Sequence, residues 1–167
     1  MADQIFGVHH DRMTRIISVC AVVALVAVSL NAMKSGVGVV ILTFVSVAII
    51  ALAYAYSPRA FEISNGALRV KRLIGEVAFP LTNFRFVRDA TPADFRGCLR
   101  LKGSGGLFGY YGWFWSKTLG KSRWYVTDRS RAIVMTDGSC NILVSPKDRD
   151  KFLAAIERAG TETADSD

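Results

Sequence analysis

Two long apolar runs occupy the first third of the chain, at residues 16–33 and 37–56. Neither run contains Asp, Glu, Lys or Arg, and only Lys34, Ser35 and Gly36 separate them. At ~1.5 Å per residue, helices of these lengths measure roughly 27 and 30 Å, which is about the thickness of the hydrocarbon core of a bilayer. Because a chain in lipid must satisfy its own backbone hydrogen bonds, the pattern predicts a two-helix transmembrane hairpin.

Two alternatives account less well for the first run. It has the basic flank of a secretory signal peptide, in Arg12 and Arg15. The apolar part of a signal peptide is usually ~7–15 residues long and ends at a cleavage site with small residues. Here the run is longer, and a second apolar run follows at once. The other alternative is a pair of helices buried in a globular core, but the rest of the chain is too short and too polar to cover them.

Basic residues predict the orientation of the hairpin. Arg12 and Arg15 precede the first run, whereas the connecting turn carries Lys34 alone. Four cations follow the second run, namely Arg59, Arg69, Lys71 and Arg72. Because positive residues favour the cytoplasmic side, we expect a multi-pass protein of the inner (cytoplasmic) membrane with both termini in the cytoplasm. Tyr54 and Tyr56 would then lie at the level of the headgroups.

Alternation of apolar and polar residues across 59–145 predicts about seven short antiparallel strands. Asn65-Gly66 separates the first two and is a strong hairpin signal, because both residues tolerate the positive φ of a type I′ turn. Further along, Leu99 and Leu101 are predicted to face inward. Their polar neighbours, predicted to face outward, are Arg100 and Lys102.

One amphipathic helix is predicted to end the domain. Ser145 is the expected N-cap, Pro146 the first helical residue and Asp148 the acidic member of a capping box. Gly160 is the expected end of the helix. Four apolar residues share one face at helical spacing: Phe152, Ala155, Ile156 and Ala159. Such a helix is suited to closing the open end of a bent sheet.

These features together resemble the bacterial pleckstrin-homology (PH) domain proteins. The resemblance is carried by the two apolar runs, Asn65-Gly66, the segment 106–112 and the ending 142–152, and it covers roughly residues 57–157. It implies an α+β chain in which a PH-like β-roll, capped by a C-terminal helix, follows the transmembrane hairpin. It also implies a membrane-anchored module without enzymatic activity.

The domain boundaries follow from these elements. We expect an N-terminal cytoplasmic tail at 1–15, the hairpin at 16–56, the PH-like domain at 57–160 and a disordered acidic tail at 161–167. His9 and His10 are expected to be exposed to solvent. The formal net charge of +7 has two explanations: attraction of a tethered domain to anionic lipid, or a moderate positive charge that simply follows from topology and solubility. No nucleic-acid motif is present, so we expect no nucleic-acid partner.

Catalytic and cofactor chemistry is not expected from this sequence. Its only two histidines lie in the N-terminal tail, and its three cysteines form neither a disulfide framework nor a metal pattern. Gly120-Lys121-Ser122 resembles the end of a phosphate-binding loop, but Trp115 occupies the position of the required glycine. We therefore expect no enzyme, no metal and no cofactor. The sequence leaves a homo-oligomer open.

Residues 103–115 form an unusual segment with five glycines and six aromatic residues. The aromatic residues are Phe108, Tyr110, Tyr111, Trp113, Phe114 and Trp115. Three hypotheses fit them: insertion at the membrane interface, binding of a partner, or a structural hairpin that packs on the roll and the helices.

Two functional hypotheses follow. In the first, the module scaffolds or regulates a protein partner, whose identity the sequence does not reveal, at the cytoplasmic face. In the second, it recognises an anionic lipid surface through basic strand residues and the aromatic segment. The basic candidates are Arg69, Lys71, Arg85, Arg100 and Lys102.

Overall fold

The computed structural model describes residues 4–9, 11–32, 37–137 and 140–164. They form three helices, α1 (Arg12–Ala32), α2 (Val37–Tyr56) and α3 (Arg149–Ala164). They also form ten strands: β1 (Gln4–Gly7), β2 (Pro58–Ser64), β3 (Ala67–Arg72), β4 (Glu76–Pro80), β5 (Phe86–Asp89), β6 (Leu99–Gly105), β7 (Tyr110–Ser116), β8 (Gly120–Val126), β9 (Ile133–Thr136) and β10 (Asn141–Val144). The predicted fold class is confirmed: two apolar helices, a β-sheet domain and a C-terminal helix.

Helices α1 and α2 are each long and apolar enough to cross a membrane. Helix α1 begins four residues before the apolar run, because Asp11 caps it: the Asp11 carboxylate accepts a hydrogen bond from the Thr14 N–H at 2.6 Å. Helix α2 has the predicted bounds. The two helices contact each other. The connecting turn with Lys34 lies outside the described residues.

The strands form two sheets, which differ from the prediction in number and in one pairing. The smaller sheet has the order β1-β2-β3-β4, and the larger has the order β5-β9-β10-β8-β7-β6. Nine strands follow α2, compared with about seven predicted. All pairs are antiparallel except β8 with β10, which run parallel, and β10 lies between β8 and β9. The Asn65-Gly66 hairpin is confirmed, with φ of 50° and 67°.

The N-terminal segment is a strand rather than the predicted tail. Strand β1 pairs antiparallel with β2, and Phe6 packs edge-to-face on Phe152 at 5.3 Å. His9 is exposed, as expected, but its Nδ1 lies 3.2 Å from the Asp128 carboxylate. The Thr127 hydroxyl donates a hydrogen bond to the His9 carbonyl at 2.7 Å. The segment before α1 is therefore fastened to the sheet domain.

The main core joins the two sheets and α3. Phe61, Leu68 and Phe152 are fully buried in it, so the helix closes the roll as predicted. The predicted cap of α3 is wrong. The Ser145 hydroxyl instead accepts a hydrogen bond from the Thr127 N–H at 2.8 Å, and the helix begins at Arg149. Helix α3 also continues four residues beyond Gly160, the predicted end.

A second core covers the opposite face of the larger sheet. Trp124 is fully buried there, stacked on Phe114 at 4.4 Å and in edge contact with Phe95 at 5.3 Å. Phe95 belongs to the segment 90–98, which also contains the fully buried Asp94. Arg88 donates two hydrogen bonds of 2.8 Å to the Asp94 carboxylate. This ion pair fixes the segment that covers Trp124.

The inward orientation predicted for Leu99 and Leu101 is wrong. Their side chains are 61% and 55% exposed. Strand β6 is an edge strand, and its register with β7 shifts between Arg100 and Lys102. The resulting bulge interrupts the alternation on which the prediction relied. The two cations of β6 border a cleft, and the two leucines do not.

Candidate functional site: a basic cleft between the helices and the roll

A cleft of about 700 Å³ lies where the apolar helices meet the β-roll. Its size is in the range of small-molecule sites in proteins. The helices supply an apolar wall, and strands β3, β6, β7 and β8 supply a polar one. The apolar residues from the helices are Ile17, Ile49, Leu52 and Ala53, with Tyr56 at the end of α2.

Four cations line the polar wall: Arg72, Arg100, Lys102 and Arg123. Among the residues that the structure describes, no Asp or Glu lines the cleft. Within the ranges that the structure describes, none of the four forms an ion pair with a carboxylate. Four like charges around a concave, partly apolar site create a positive potential that attracts an anion. The cleft is therefore suited to an anionic group.

Aromatic rings support two of these guanidinium groups. The Arg123 guanidinium carbon lies 5.5 Å from the centre of the Trp113 ring and 5.8 Å from that of Tyr125. Arg72 lies 5.4 Å from the Tyr56 ring. Such cation–π contacts position a charge without neutralising it. Burial raises the pKa of the Tyr125 hydroxyl, so the phenol stays neutral and able to donate a hydrogen bond.

The β6–β7 hairpin is attached to both apolar helices. The Phe108 N–H donates to the Ser18 hydroxyl at 2.9 Å, and the Ser57 hydroxyl donates to the Phe108 carbonyl at 2.8 Å. The Phe108 ring meets Tyr54 edge-on at 5.2 Å. The Tyr111 hydroxyl donates to a backbone carbonyl of α2, that of Ala53. These contacts hold the roll against the helices and so define the cleft.

The structure divides the basic residues selected from the sequence into two groups. Arg100 and Lys102 line the cleft. Arg69 and Lys71 lie outside it and pair with Glu76 at 2.7 and 2.9 Å. The hydrogen bond with Glu76 raises the pKa of Lys71. Lys71 also pairs with Glu62 at 3.2 Å, so two carboxylates balance the charges of Arg69 and Lys71. Arg85 is exposed and also lies outside the cleft.

The aromatic residues of the glycine-rich segment also have different environments. Tyr110, Tyr111 and Phe114 are buried, and Phe108 packs on the helix pair, as the structural-hairpin hypothesis predicts. Two tryptophans are more accessible. Trp113 lines the cleft, and Trp115, which is 39% exposed, does not.

Sequence reasoning missed two of the four cleft cations, Arg72 and Arg123. Arg123 reaches the cleft because β7 pairs with both β6 and β8, whereas Arg72 comes from β3 of the smaller sheet. One local signal was available for Arg123: it stands two residues before Tyr125, so both side chains share a face of β8.

Comparison with family models matches residues 59–160 to a bacterial PH domain. The matched segment extends from β2 into α3 and contains the basic wall of the cleft. Comparisons with curated proteins and with solved structures give no match. The family match covers more than half of the chain and includes nearly all of β2, strands β3 to β10 and most of α3. The chain therefore belongs to the bacterial PH domain family.

Proposed function

We propose that this protein is a membrane-anchored, non-enzymatic binding module that holds the headgroup of an anionic membrane phospholipid in its basic cleft. One observation carries the proposal. The cleft has apolar helix residues on one side and four cations on the other, and no carboxylate among the described residues lines it. A phospholipid has the same division, with a negatively charged phosphate next to apolar chains.

The exposed surface of the two apolar helices supports the membrane anchor. Phe44 is 72% exposed, Leu42 60% and Ile41 58%. Large contiguous apolar surfaces are rare on soluble monomers, and acyl chains would cover this one. The basic residues before α1 and after α2 favour both chain ends in the cytoplasm. The roll and its cleft would then face the cytoplasmic leaflet, which carries anionic lipids.

The apolar wall favours a lipid over a free anion. Ile49 and Leu52 lie one to two turns before the end of α2, at a depth where acyl chains begin. Lys102 and Arg123 approach from the roll. A lipid phosphate could contact the cations while its chains remain beside the helices. Inorganic phosphate would leave the apolar wall uncovered.

A protein partner is the alternative. Membership of the bacterial PH domain family supports a binding module in general. It does not distinguish a scaffold for a protein from a receptor for a lipid. We favour the lipid because the four cations of the cleft form no ion pair with a described carboxylate. In contrast, Arg69 and Lys71 on the outer face of β3 are paired with Glu76.

The test is a titration of phosphatidylglycerol into the full-length protein in a zwitterionic detergent, followed by native mass spectrometry. The variant is Arg100→Gln/Lys102→Gln. Each cation near a lipid phosphate contributes about 1 kcal/mol, so the double variant should bind about thirtyfold more weakly. The matched control is Arg85→Gln/Lys117→Gln, which removes the same charge from exposed positions outside the cleft.

We expect the wild type and the control to bind phosphatidylglycerol more tightly than phosphatidylcholine, with a preference that weakens as salt is added. Equal binding of the two lipids by the wild type would refute the proposal. An equal loss in both double variants would refute the assignment to the cleft. In either case, the protein-partner hypothesis becomes the one to pursue.

A further inference from the structure

The turn between β3 and β4 lies beside the end of helix α2. Ile74 donates its backbone N–H to the carbonyl of Ala55 at 3.2 Å. Ala55 is the penultimate residue of α2. The tip of this β-hairpin therefore lies at the level at which the second apolar helix ends.

Two aliphatic residues at this tip are at least half exposed. Leu73 is 58% exposed and Ile74 is 50% exposed. They are consecutive residues in a turn, a position that polar residues and glycine usually occupy. The hydrogen bond to α2 uses only the backbone of Ile74. Both side chains are therefore available for another contact.

The neighbouring residues are those of a membrane interface. Tyr54 and Tyr56 are 47% and 41% exposed on the last turn of α2. The Arg59 guanidinium lies 4.5 Å from the centre of the Tyr54 ring, and Arg72 lies over Tyr56. Tyrosines and arginines at the end of an apolar helix favour the headgroup layer. Leu73 and Ile74 lie beside this layer.

We propose that Leu73 and Ile74 insert into the boundary between headgroups and acyl chains, in the leaflet where α2 ends. The occupant of this apolar surface is then the bilayer itself, which already surrounds α2. The inference rests on the membrane crossing proposed above and does not depend on a lipid in the cleft. Insertion would give the roll an attachment to the bilayer besides its contacts with the helices.

The test places a tryptophan at three positions of the full-length protein in phosphatidylcholine vesicles with brominated acyl chains. Leu73→Trp reports on the turn, and Phe44→Trp reports on the middle of α2. Phe86→Trp is the matched control, because Phe86 is 72% exposed on β5, at the edge of the larger sheet opposite β6. Quenching is measured as the difference from the wild type, which contains three tryptophans.

We expect bromines near the glycerol end of the chains to quench Leu73→Trp more strongly than bromines near the terminal methyl. Phe44→Trp should show the opposite order, and Phe86→Trp should show no added quenching. Adding Ile74→Asp to Leu73→Trp should reduce the quenching, because a carboxylate opposes insertion. This second change keeps the backbone hydrogen bond to Ala55 available.

The outcomes separate this inference from the proposed function. No quenching of Phe44→Trp would overturn the membrane crossing and with it the inference. Quenching of Phe44→Trp without quenching of Leu73→Trp would overturn the inserted turn alone. Equal quenching of Leu73→Trp and Phe86→Trp would also overturn it, because tryptophan itself would then be the cause.

Discussion

Replacing Gly112 by alanine is expected to separate strands β6 and β7 and to destroy the cleft. Gly112 faces Gly103 across the hairpin, and its φ is +115°. A Cβ at Gly112 would lie 2.1 Å from the Lys102 carbonyl oxygen and 2.8 Å from the Gly103 Cα. Both contacts are with backbone, so rotation of a side chain cannot relieve them.

The matched control for this substitution is Gly120→Ala. Gly120 also has a positive φ, of +63°, but a Cβ there would meet nothing within 4 Å. The control should therefore cost only the backbone strain of about 1–2 kcal/mol. We expect Gly112→Ala to cost about 3 kcal/mol or more, which lowers the melting temperature by roughly 6–12 °C. Thermal unfolding of the full-length protein, followed by near-UV circular dichroism, gives the melting temperatures of both variants. Equal shifts in melting temperature would contradict the close approach of the two strands.

Asp94→Asn is expected to destabilise the roll by removing the charge that fixes the segment over Trp124. Two hydrogen bonds from Arg88 and one from the Thr91 N–H, at 2.7 Å, reach this fully buried carboxylate. The hydrogen bonds from Arg88 are the main reason that the pKa of Asp94 falls from 3.8 to about 2. A shift of this size corresponds to about 2 kcal/mol of folding free energy at neutral pH.

The loss of the Asp94 carboxylate should also change how the stability of the protein depends on pH. The pKa of Asp94 is lower in the folded state than in the unfolded state. The contribution of Asp94 to the free energy of unfolding is therefore present above pH 3.8 and is lost as the pH falls towards about 2. As the pH falls over this range, the free energy of unfolding, measured with denaturant, should therefore decrease more steeply in the wild type than in Asp94→Asn. Asp150→Asn is the control, since the Asp150 side chain is 92% exposed. Parallel pH profiles for the wild type and Asp94→Asn would contradict the role of this ion pair.

The parts of the fold that depend on local sequence could be predicted. The bounds of α2 follow from an uninterrupted apolar run, and the β2–β3 hairpin follows from Asn65-Gly66. In both cases the chemistry of a few adjacent residues determines the backbone. The C-terminal helix follows from its apolar spacing, although its start does not. Ser145 looks like a cap in sequence, but its hydroxyl binds a strand instead.

The parts that depend on distant pairing could not be predicted in the same way. Strand β1 forms by pairing with the edge of β2, and its four residues show no distinct alternation of apolar and polar side chains. The exposure of Leu99 and Leu101 depends on the position of β6 at the edge of the larger sheet, which only the order of the strands reveals. The cleft itself depends on contacts between residues far apart in sequence, such as Ser18 and Phe108.

One β-hairpin connects the two apolar helices to the basic wall of the cleft. The same β6–β7 hairpin supplies two of the cations and binds α1 and α2 through Phe108 and Tyr111. A lipid in the cleft would contact both the helices and the roll. Its binding would therefore stabilise the docked position of the roll on the membrane surface.

Hydrogen–deuterium exchange of the full-length protein in nanodiscs tests the central claim most directly. Nanodiscs of phosphatidylcholine are compared with nanodiscs that also contain phosphatidylglycerol. We expect slower exchange with the anionic lipid in residues 102–105 and 111–113, which border the cleft, and no change in α3. Unchanged exchange around the cleft, or protection confined to residues 69–71, would contradict a lipid site between the helices and the roll.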